Sequence, residues 1–402
     1  MTGLKPALLQ AAIPLRIVHV LEATDGGTGR HLSGIASALR KAGAEVHVVC
    51  AVRRNPSYLV EMSDMEAAGV QVVRLDMRRS IHPLRDALAI AKLMRLFHDI
   101  RPDVIHLHSS KAGALGRLAA ALMGAGPVVY SPHAFSFLAR PGSWRSRFFM
   151  RIERLLASHT DLLVAVSQSE ARIARDAGIA PSKDLLTIVN GVDVQTLPPD
   201  RCERVEPGSA LLRLGYLGRL EEQKAPMRLV QLAEHLRDQG VDFLMDVAGN
   251  GSLKAACVRA CRERGLEGRV RFRGFVSDAS SFYSEVDLFV MPSSYEGLPY
   301  SVLDAMLWEI PVVGFDVPGV RDLVDPGVTG ALVRPFSIPD MARALTPLLQ
   351  DQALRARMGR AARARCLEQF RLEQQVDQLL AAYRTVSPVP VGGRRQRPSR
   401  QS

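Results

Sequence analysis

Apolar and polar positions along this chain switch between two periods. Leu15 to Leu21 is a β-branched apolar run that closes in the loop Glu22-Ala23-Thr24-Asp25-Gly26-Gly27-Thr28-Gly29. Leu32, Ile35, Ala36 and Leu39 follow at the spacing of an amphipathic helix. The same succession predicts strands at Glu45–Ala51, Val70–Leu75, Val104–Leu107, Val128–Tyr130, Leu162–Val166 and Leu185–Val189, with a helix at Pro83–His98. Leu197 to Ser209, rich in proline and mixed charge, reads as a linker. The pattern then restarts, with strands at Leu211–Leu217, Asp242–Ala248, Val270–Phe272, Leu288–Met291 and Pro311–Gly314. Helices are expected at Ala225–Arg237, Ser252–Arg264, Ala279–Glu285 and Tyr300–Leu307. One long helix runs from Ile338 to about Gln369, breaks near Phe370, and gives way to a last segment, Leu372–Tyr383. Strands separated by helices pair in parallel, so the chain predicts two α/β domains with doubly wound parallel sheets. Such sheets bind ligands at the carboxyl ends of their strands, and two facing sheets make a cleft.

A length of 402 residues suits two domains, and 47% hydrophobic with 23% charged residues is globular composition. No stretch reaches about 18 uninterrupted apolar residues, so no membrane-spanning helix is expected. Met1 to Pro14 has no clear signal-peptide character, and a cytoplasmic location is expected. The five cysteines are scattered, and Cys257 and Cys261 lack a histidine pair to complete a zinc site, which favours reduced structural thiols. The net charge is +11, part of it in the tail, where Arg394, Arg395, Arg397 and Arg400 stand among Gly, Pro, Ser and Gln. That tail, 387–402, cannot bury a core and is expected to be disordered. The remaining excess suits an anionic substrate or an anionic membrane surface. Charge alone would serve nucleic acid equally, but no zinc finger or RNA-binding aromatic signature accompanies it, so no nucleic-acid partner is expected.

The candidate chemistry is concentrated in the second half. Ser293-Ser294-Tyr295-Glu296-Gly297-Leu298-Pro299-Tyr300 joins a strand to a helix, with Asp304 one turn further on. Pro299 suits the first helical position, which would leave the N–H groups of Gly297, Leu298 and Tyr300 facing a cleft and attracting an anion. Leu217-Gly218-Arg219-Leu220-Glu221-Glu222-Gln223-Lys224, at another strand–helix junction, places two cations at the same carboxyl edge. Charge-assisted hydrogen bonds from such cations contribute about 1.5–3 kcal/mol each, and they act on charge that grows as a diphosphate leaves. In the first half, Gly27-x-Gly29 is half of a dinucleotide fingerprint. Leu32 replaces the third glycine and no acid ends the second strand, which argues against nicotinamide chemistry. His133, in Ser131-Pro132-His133-Ala134-Phe135, follows a strand. No Ser–His–Asp or Cys–His nucleophile is evident, and no Asp-x-Asp occurs, so neither a covalent intermediate nor a bridging metal is expected.

These motifs resemble the retaining glycosyltransferases of family 4, which have the GT-B fold of two Rossmann-like domains facing across a cleft. The resemblance runs from about Leu15 to Tyr383 and includes Gly26-Gly27 with His31, Asn190-Gly191-Val192-Asp193, Gly218-Arg219 with Lys224, Gly249-Asn250-Gly251, and Glu296-Gly297-Leu298-Pro299. It implies an acceptor-side domain over 1–197, a nucleotide-sugar domain over 209–369, and a last helix, 370–386, returning to the first. It also implies a nucleotide-diphosphate sugar as substrate, with no separate cofactor. Arg219 and Lys224 would bind the diphosphate, Glu296 the transferred sugar and Asp304 the ribose, with Gly27, Gly249, Gly297 and Leu298 completing the donor site. His133 would position and polarise, and Gly26 would face the acceptor. The family's second acid is usually Glu, and Asp304 is shorter by on the order of 1 Å of reach. A nucleotide-sugar epimerase of the same fold is the alternative enzyme.

Two segments suggest the acceptor. His106-Leu107-His108-Ser109-Ser110-Lys111-Ala112-Gly113 enters a helix that Ser109 or Ser110 could cap, with Lys111 adding a cation at an anion-attracting end. The stretch resembles family members that build bacterial exopolysaccharide and O-antigen on polyprenyl diphosphate, so a lipid-linked glycan acceptor is implied. Further on, Arg140, Arg145, Arg147, Arg151 and Arg154 interleave with Trp144, Phe148, Phe149, Ile152 and Leu155. A basic amphipathic helix of this kind suits either peripheral contact with the inner face of an anionic membrane or packing on its own sheet.

Overall fold

The computed structural model describes residues 14–53, 55–179, 185–195, 198 and 211–387. The expected N-terminal run, almost all of the expected linker, and the basic tail beyond Ser387 lie outside the described residues.

The first sheet has seven strands: β1 (Arg16–Leu21), β2 (Glu45–Cys50), β3 (Gln71–Arg74), β4 (Val104–His108), β5 (Val128–Ser131), β6 (Leu162–Ala165) and β7 (Leu185–Thr187). Their order is β3-β2-β1-β4-β5-β6-β7, every pair parallel. One face carries α1 (Gly27–Lys41) and α2 (Leu59–Ala67), whose Leu32, Ile35, Leu39, Met62 and Met65 are buried. The other carries α3 (Pro83–Ile100), α4 (Ser110–Met123), α5 (Trp144–Ala157) and α6 (Gln168–Asp176). A sheet covered on both faces needs buried strands, which is why β6 is a continuous apolar run and β1 and β4 add only buried histidines and one arginine to theirs.

The second sheet has six strands: β8 (Arg213–Leu217), β9 (Leu244–Ala248), β10 (Val270–Gly274), β11 (Leu288–Met291), β12 (Val312–Phe315) and β13 (Gly330–Val333). Their order is β10-β9-β8-β11-β12-β13, again all parallel. Its helices are α7 (Met227–Asp238), α8 (Lys254–Glu263), α9 (Ala279–Glu285), α10 (Tyr300–Leu307), α11 (Ile338–Gln350) and α12 (Gln352–Gln369). In both sheets the strand order reverses direction once, between β1 and β4 and between β8 and β11. The loops leaving those strands diverge to opposite faces and open the crevice where ligands bind.

The chain's last helix, α13 (Leu372–Val386), packs against α1 and buries Val376, Leu379, Ala382 and Tyr383 in the core of the first domain. Its entry is fixed by backbone pairing: Val192 N–H donates to Phe370 O (2.8 Å) and Leu372 N–H to Val192 O (2.9 Å).

Several sequence expectations need correction. The single helix expected over 338–369 is two, because Asp351 adopts an extended backbone and its carboxylate caps the second helix by accepting from Leu354 N–H at 2.9 Å. Strand β13 and helices α2 and α6 had no counterpart in the expected set; β13 is four residues long, too short for a periodic signal. Pro299 is the cap of α10 rather than its first residue, with ψ near 120°.

Candidate active site

The loops after β8 and β11 leave the second sheet side by side at its switch point and are stitched together. Ser294 N–H donates to Gln223 O (2.8 Å), and the Gln223 amide donates to Tyr295 O (3.0 Å). This places Lys224 Nζ 2.8 Å from a Glu296 carboxylate oxygen, both side chains nearly buried. Arg219 reaches across the cleft to Asp25 of the first domain, Nη1 to Oδ2 at 3.0 Å.

Beyond Glu296 the backbone turns into α10. Among the described residues no protein acceptor takes the N–H groups of Gly297, Leu298, Tyr300 or Ser301, and all four residues line a cavity of about 240 Å³. Arg219, Lys224, Glu296 and Asp304 of the second domain line the same cavity, as do Gly26, Gly27 and His133 of the first. Two cations and a fan of unpaired amides therefore converge on one space, an arrangement that holds an anion.

The first domain closes this cavity from the other side. A methyl group built on Gly297 would stand 3.1 Å from the His133 carbonyl carbon and 3.2 Å from Ala134 N, so a side chain here would push the two loops apart by a few tenths of an ångström. Asn190 Nδ2 donates to Leu298 O (3.1 Å), and His31 Nδ1 lies 3.1 Å from the Tyr300 hydroxyl. His133 and Ala134 both occupy the left-handed region, with φ of 51° and 78°. Glu170 holds this strained turn: its carboxylate accepts from Ala134 N–H at 2.6 Å and from Val166 N–H at 2.9 Å.

His133 is the outermost of five clustered imidazoles. His133 Nε2 lies 3.0 Å from His108 Nδ1, and His108 Nε2 lies 3.0 Å from His19 Nδ1. His106 joins Tyr383 OH (2.6 Å) and Ser131 Oγ (2.9 Å), and His31 packs edge-on to His133 with ring centroids 4.5 Å apart. Burial disfavours the imidazolium form: the pKa of His133 is pushed down to about 4 and that of His19 to about 3. His31, His106 and His108 are lowered well below 6.5 by burial and by one another's charge. His31, His108 and His133 bring ring nitrogens within 4.8 Å of one another, but both His108 nitrogens already meet neighbouring rings, so a cation entering there would break the chain.

Other expected site residues are placed differently. Asp304 faces the cavity, yet both its oxygens are held by Arg30 of the first domain, at 2.5 and 2.9 Å, an arrangement absent from the sequence reading. Gly249 does not line the cavity; it packs backbone to backbone on Gly218, where a methyl group would fall 1.9 Å from the carbonyl oxygen. Lys111 is not an open cation, since Nζ pairs with Asp86 at 2.6 Å and donates to Ser80 O at 3.2 Å. Ser109 stands at the N-cap of α4, with φ 69°, but its buried Oγ makes no capping hydrogen bond, and Ser110 Oγ instead accepts from Ser136 N–H at 3.4 Å. None of these three residues lines the cavity.

The arginine-rich segment divides in two. On α5, Phe149 and Met150 pack toward the sheet, and Glu153 forms a fully buried ion pair with Arg117 of α4 at 2.6 Å. Trp144, Phe148 and Leu155 remain exposed on the outer face with Arg145, Arg147 and Arg151. The neighbouring helices on this side of the sheet expose Leu84, Leu88 and Leu122. Arg140 precedes the helix and pairs instead with Glu222 across the cleft (3.0 Å), while Arg154 donates to Ala177 O (2.6 Å). No helix among the described residues is long and apolar enough to cross a membrane.

Two parallel-sheet domains facing across a cavity define the GT-B architecture. The chain belongs to the glycosyltransferases of family 4: residues 25–196 match the model "Glycosyltransferase Family 4" and residues 210–365 the model "Glycosyl transferases group 1". It is 26% identical over 315 residues to the UDP-Gal:alpha-D-GlcNAc-diphosphoundecaprenol alpha-1,3-galactosyltransferase of Escherichia coli, covering 76% of this chain and 81% of the relative. It is 24% identical to the capsular polysaccharide biosynthesis glycosyltransferase CapM of Staphylococcus aureus, over 88% and 93% of the two chains. Among solved structures, Anabaena Alr3699/HepE in complex with UDP and glucose superposes with a TM-score of 0.76 at 22% identity, over 92% of this chain and 100% of that one.

The histidine cluster sets a pH dependence of stability. Its rings bind protons far more weakly folded than unfolded, so acid favours the unfolded chain from about pH 6.5 down toward the folded values near 4 and 3. Glu170, raised to about 7 by burial, acts in the opposite sense: its contribution is full below 4.5 and is lost as pH rises through 7. One carboxyl against five rings leaves the histidines dominant. The melting temperature is expected to fall steadily from pH 6.5 to 5, where exposed carboxylates do not yet titrate; a flat or rising profile by calorimetry contradicts this.

Proposed function

We propose that this glycosyltransferase moves a hexose-type sugar, with retention at the anomeric carbon, from a nucleotide-diphosphate donor to a lipid-linked glycan in cell-surface polysaccharide assembly. The convergence of Lys224, Arg219 and the unpaired amides after Glu296 on one cavity carries the reading. The diphosphate sits among those groups, which neutralise the charge that develops as the glycosidic bond breaks. Glu296 faces the transferred sugar, and Asp304 takes the ribose once Arg30 yields it. Gly27 lets the donor phosphates approach the first domain's backbone, and Gly26 borders the acceptor side. The acceptor hydroxyl oxygen bonds to the anomeric carbon on the face the diphosphate leaves, and its proton passes to a leaving phosphate oxygen. Protein cations and amides supply the positive charge in this scheme, without a bridging metal.

The acceptor reading is supported by the relatives' names, one of which specifies a diphosphoundecaprenol-linked sugar and another capsular polysaccharide. The outer face of α5 adds to it, since exposed Trp144, Phe148 and Leu155 among arginines suit the interface of an anionic membrane. An epimerase would yield a new nucleotide sugar from donor alone, which this reading does not expect.

Lys224→Ala and Glu296→Gln should each lower kcat/KM at least about 100-fold, the scale of removing a transition-state charge partner. Near-normal turnover in either folded variant removes the site assignment. For the membrane contact, the protein should co-sediment with vesicles containing phosphatidylglycerol and be released by salt. Substitution of Trp144, Phe148 and Leu155 by Ser should abolish that binding; retention by the triple variant contradicts it.

A further inference from the structure

The buried imidazoles form a directional chain, and its direction decides what His133 offers the cleft. His108 uses both ring nitrogens, Nε2 toward His19 Nδ1 and Nδ1 toward His133 Nε2, each at 3.0 Å. Each of these bonds needs one proton between its two nitrogens. If both protons sat on His108, it would be a cation; if neither did, it would be an anion. A ring that is 0% exposed and crowded by His19, His31, His106 and His133 is neither. Only two arrangements remain, with all the protons pointing outward or all inward.

The inner end of the chain separates them. His19 Nε2 is buried and has no hydrogen-bond partner. Inward direction would put a proton on that nitrogen and bury an N–H with no acceptor, the rarer and costlier kind of orphan. Outward direction leaves a lone pair there, places one proton on His19 Nδ1, one on His108 Nδ1, and the last on His133 Nδ1. That last nitrogen has no protein partner among the described residues, and His133 lines the cavity.

We infer that His19 and His108 are positioning residues that fix His133 in its Nδ1–H tautomer, making it a permanent hydrogen-bond donor to the cleft and never the base. The chain also explains the strain at the outer end. Glu170 clamps the left-handed His133–Ala134 turn, and the chain clamps the ring, so backbone and side chain are held independently. A fixed donor at this point suits an oxygen of the transferred sugar, beside Gly297 and Glu296; this identification of the acceptor atom rests on the proposed transferase reading, whereas the tautomer does not.

The test is long-range 15N–1H correlation NMR on full-length protein labelled in its histidines, with His133 assigned by its absence in His133→Gln. At pH 7.5 His133 should show a protonated Nδ1 and an unprotonated Nε2. A proton on Nε2 overturns the inference outright, whether or not the protein transfers sugar. His108→Phe, which keeps a ring in the core, should release His133 into a mixture of tautomers. Its kcat should fall about tenfold, the size of one orienting hydrogen bond, with the donor KM little changed. An unchanged tautomer and an unchanged kcat in that variant also overturn it. Should His108→Phe fail to fold, the wild-type spectrum decides alone. Should the wild-type spectrum show the Nδ1–H form while no donor sugar is transferred, the tautomer stands and the transferase reading falls.

Discussion

The diphosphate of the proposed donor brings more negative charge than an α/β core can accept, and the second domain has an edge suited to it. At the carboxyl edge of a parallel sheet, strands end, helices begin, and backbone N–H groups are left without partners. The second domain concentrates these features at the β8/β11 switch point, where Lys224 arrives from one loop and Glu296 with its trailing amides from the next. Glu296 matters here as much as the cations do. A carboxylate beside Lys224 keeps the lysine compensated while the cavity is empty and limits the site's attraction for adventitious anions.

The same logic runs across the cleft. Arg219 leans on Asp25, and Arg30 holds Asp304 with both nitrogens. Each pair joins one domain to the other through a residue assigned to the donor. In the proposed reading the donor takes over these partners, so domain contact and donor binding share the same charges. A partly buried bidentate pair is stronger than a surface bridge, which makes Arg30–Asp304 the more consequential of the two.

Much of this was legible in the chain before any coordinates. Two doubly wound sheets followed from the alternation of apolar runs and amphipathic stretches, and the Glu296 and Arg219–Lys224 motifs stood at strand ends where the fold brings them together. What escaped was long-range. Arg30, Asp25 and Glu170 are ordinary polar residues on helices or loops, and only the docking of two domains makes them partners of the site. The histidine chain was present as letters, His19, His31, His106, His108 and His133, yet neighbouring strands set its contacts, and spacing within one strand carries no such information. Lys111 misled for the complementary reason: its position at a helix start suggested an anion, while Asp86, from the preceding helix, neutralises it. The basic segment carries apolar residues on more than one face of α5, and spacing alone does not say which stripe meets the sheet.

The most direct measurement is a structure of the protein with uridine or guanosine diphosphate bound. Both phosphates should lie within hydrogen-bonding distance of Lys224, Arg219 and the N–H groups of Gly297 and Leu298, with Arg219 parted from Asp25. A diphosphate seated elsewhere, with the Lys224–Glu296 and Arg219–Asp25 pairs intact, would contradict the account.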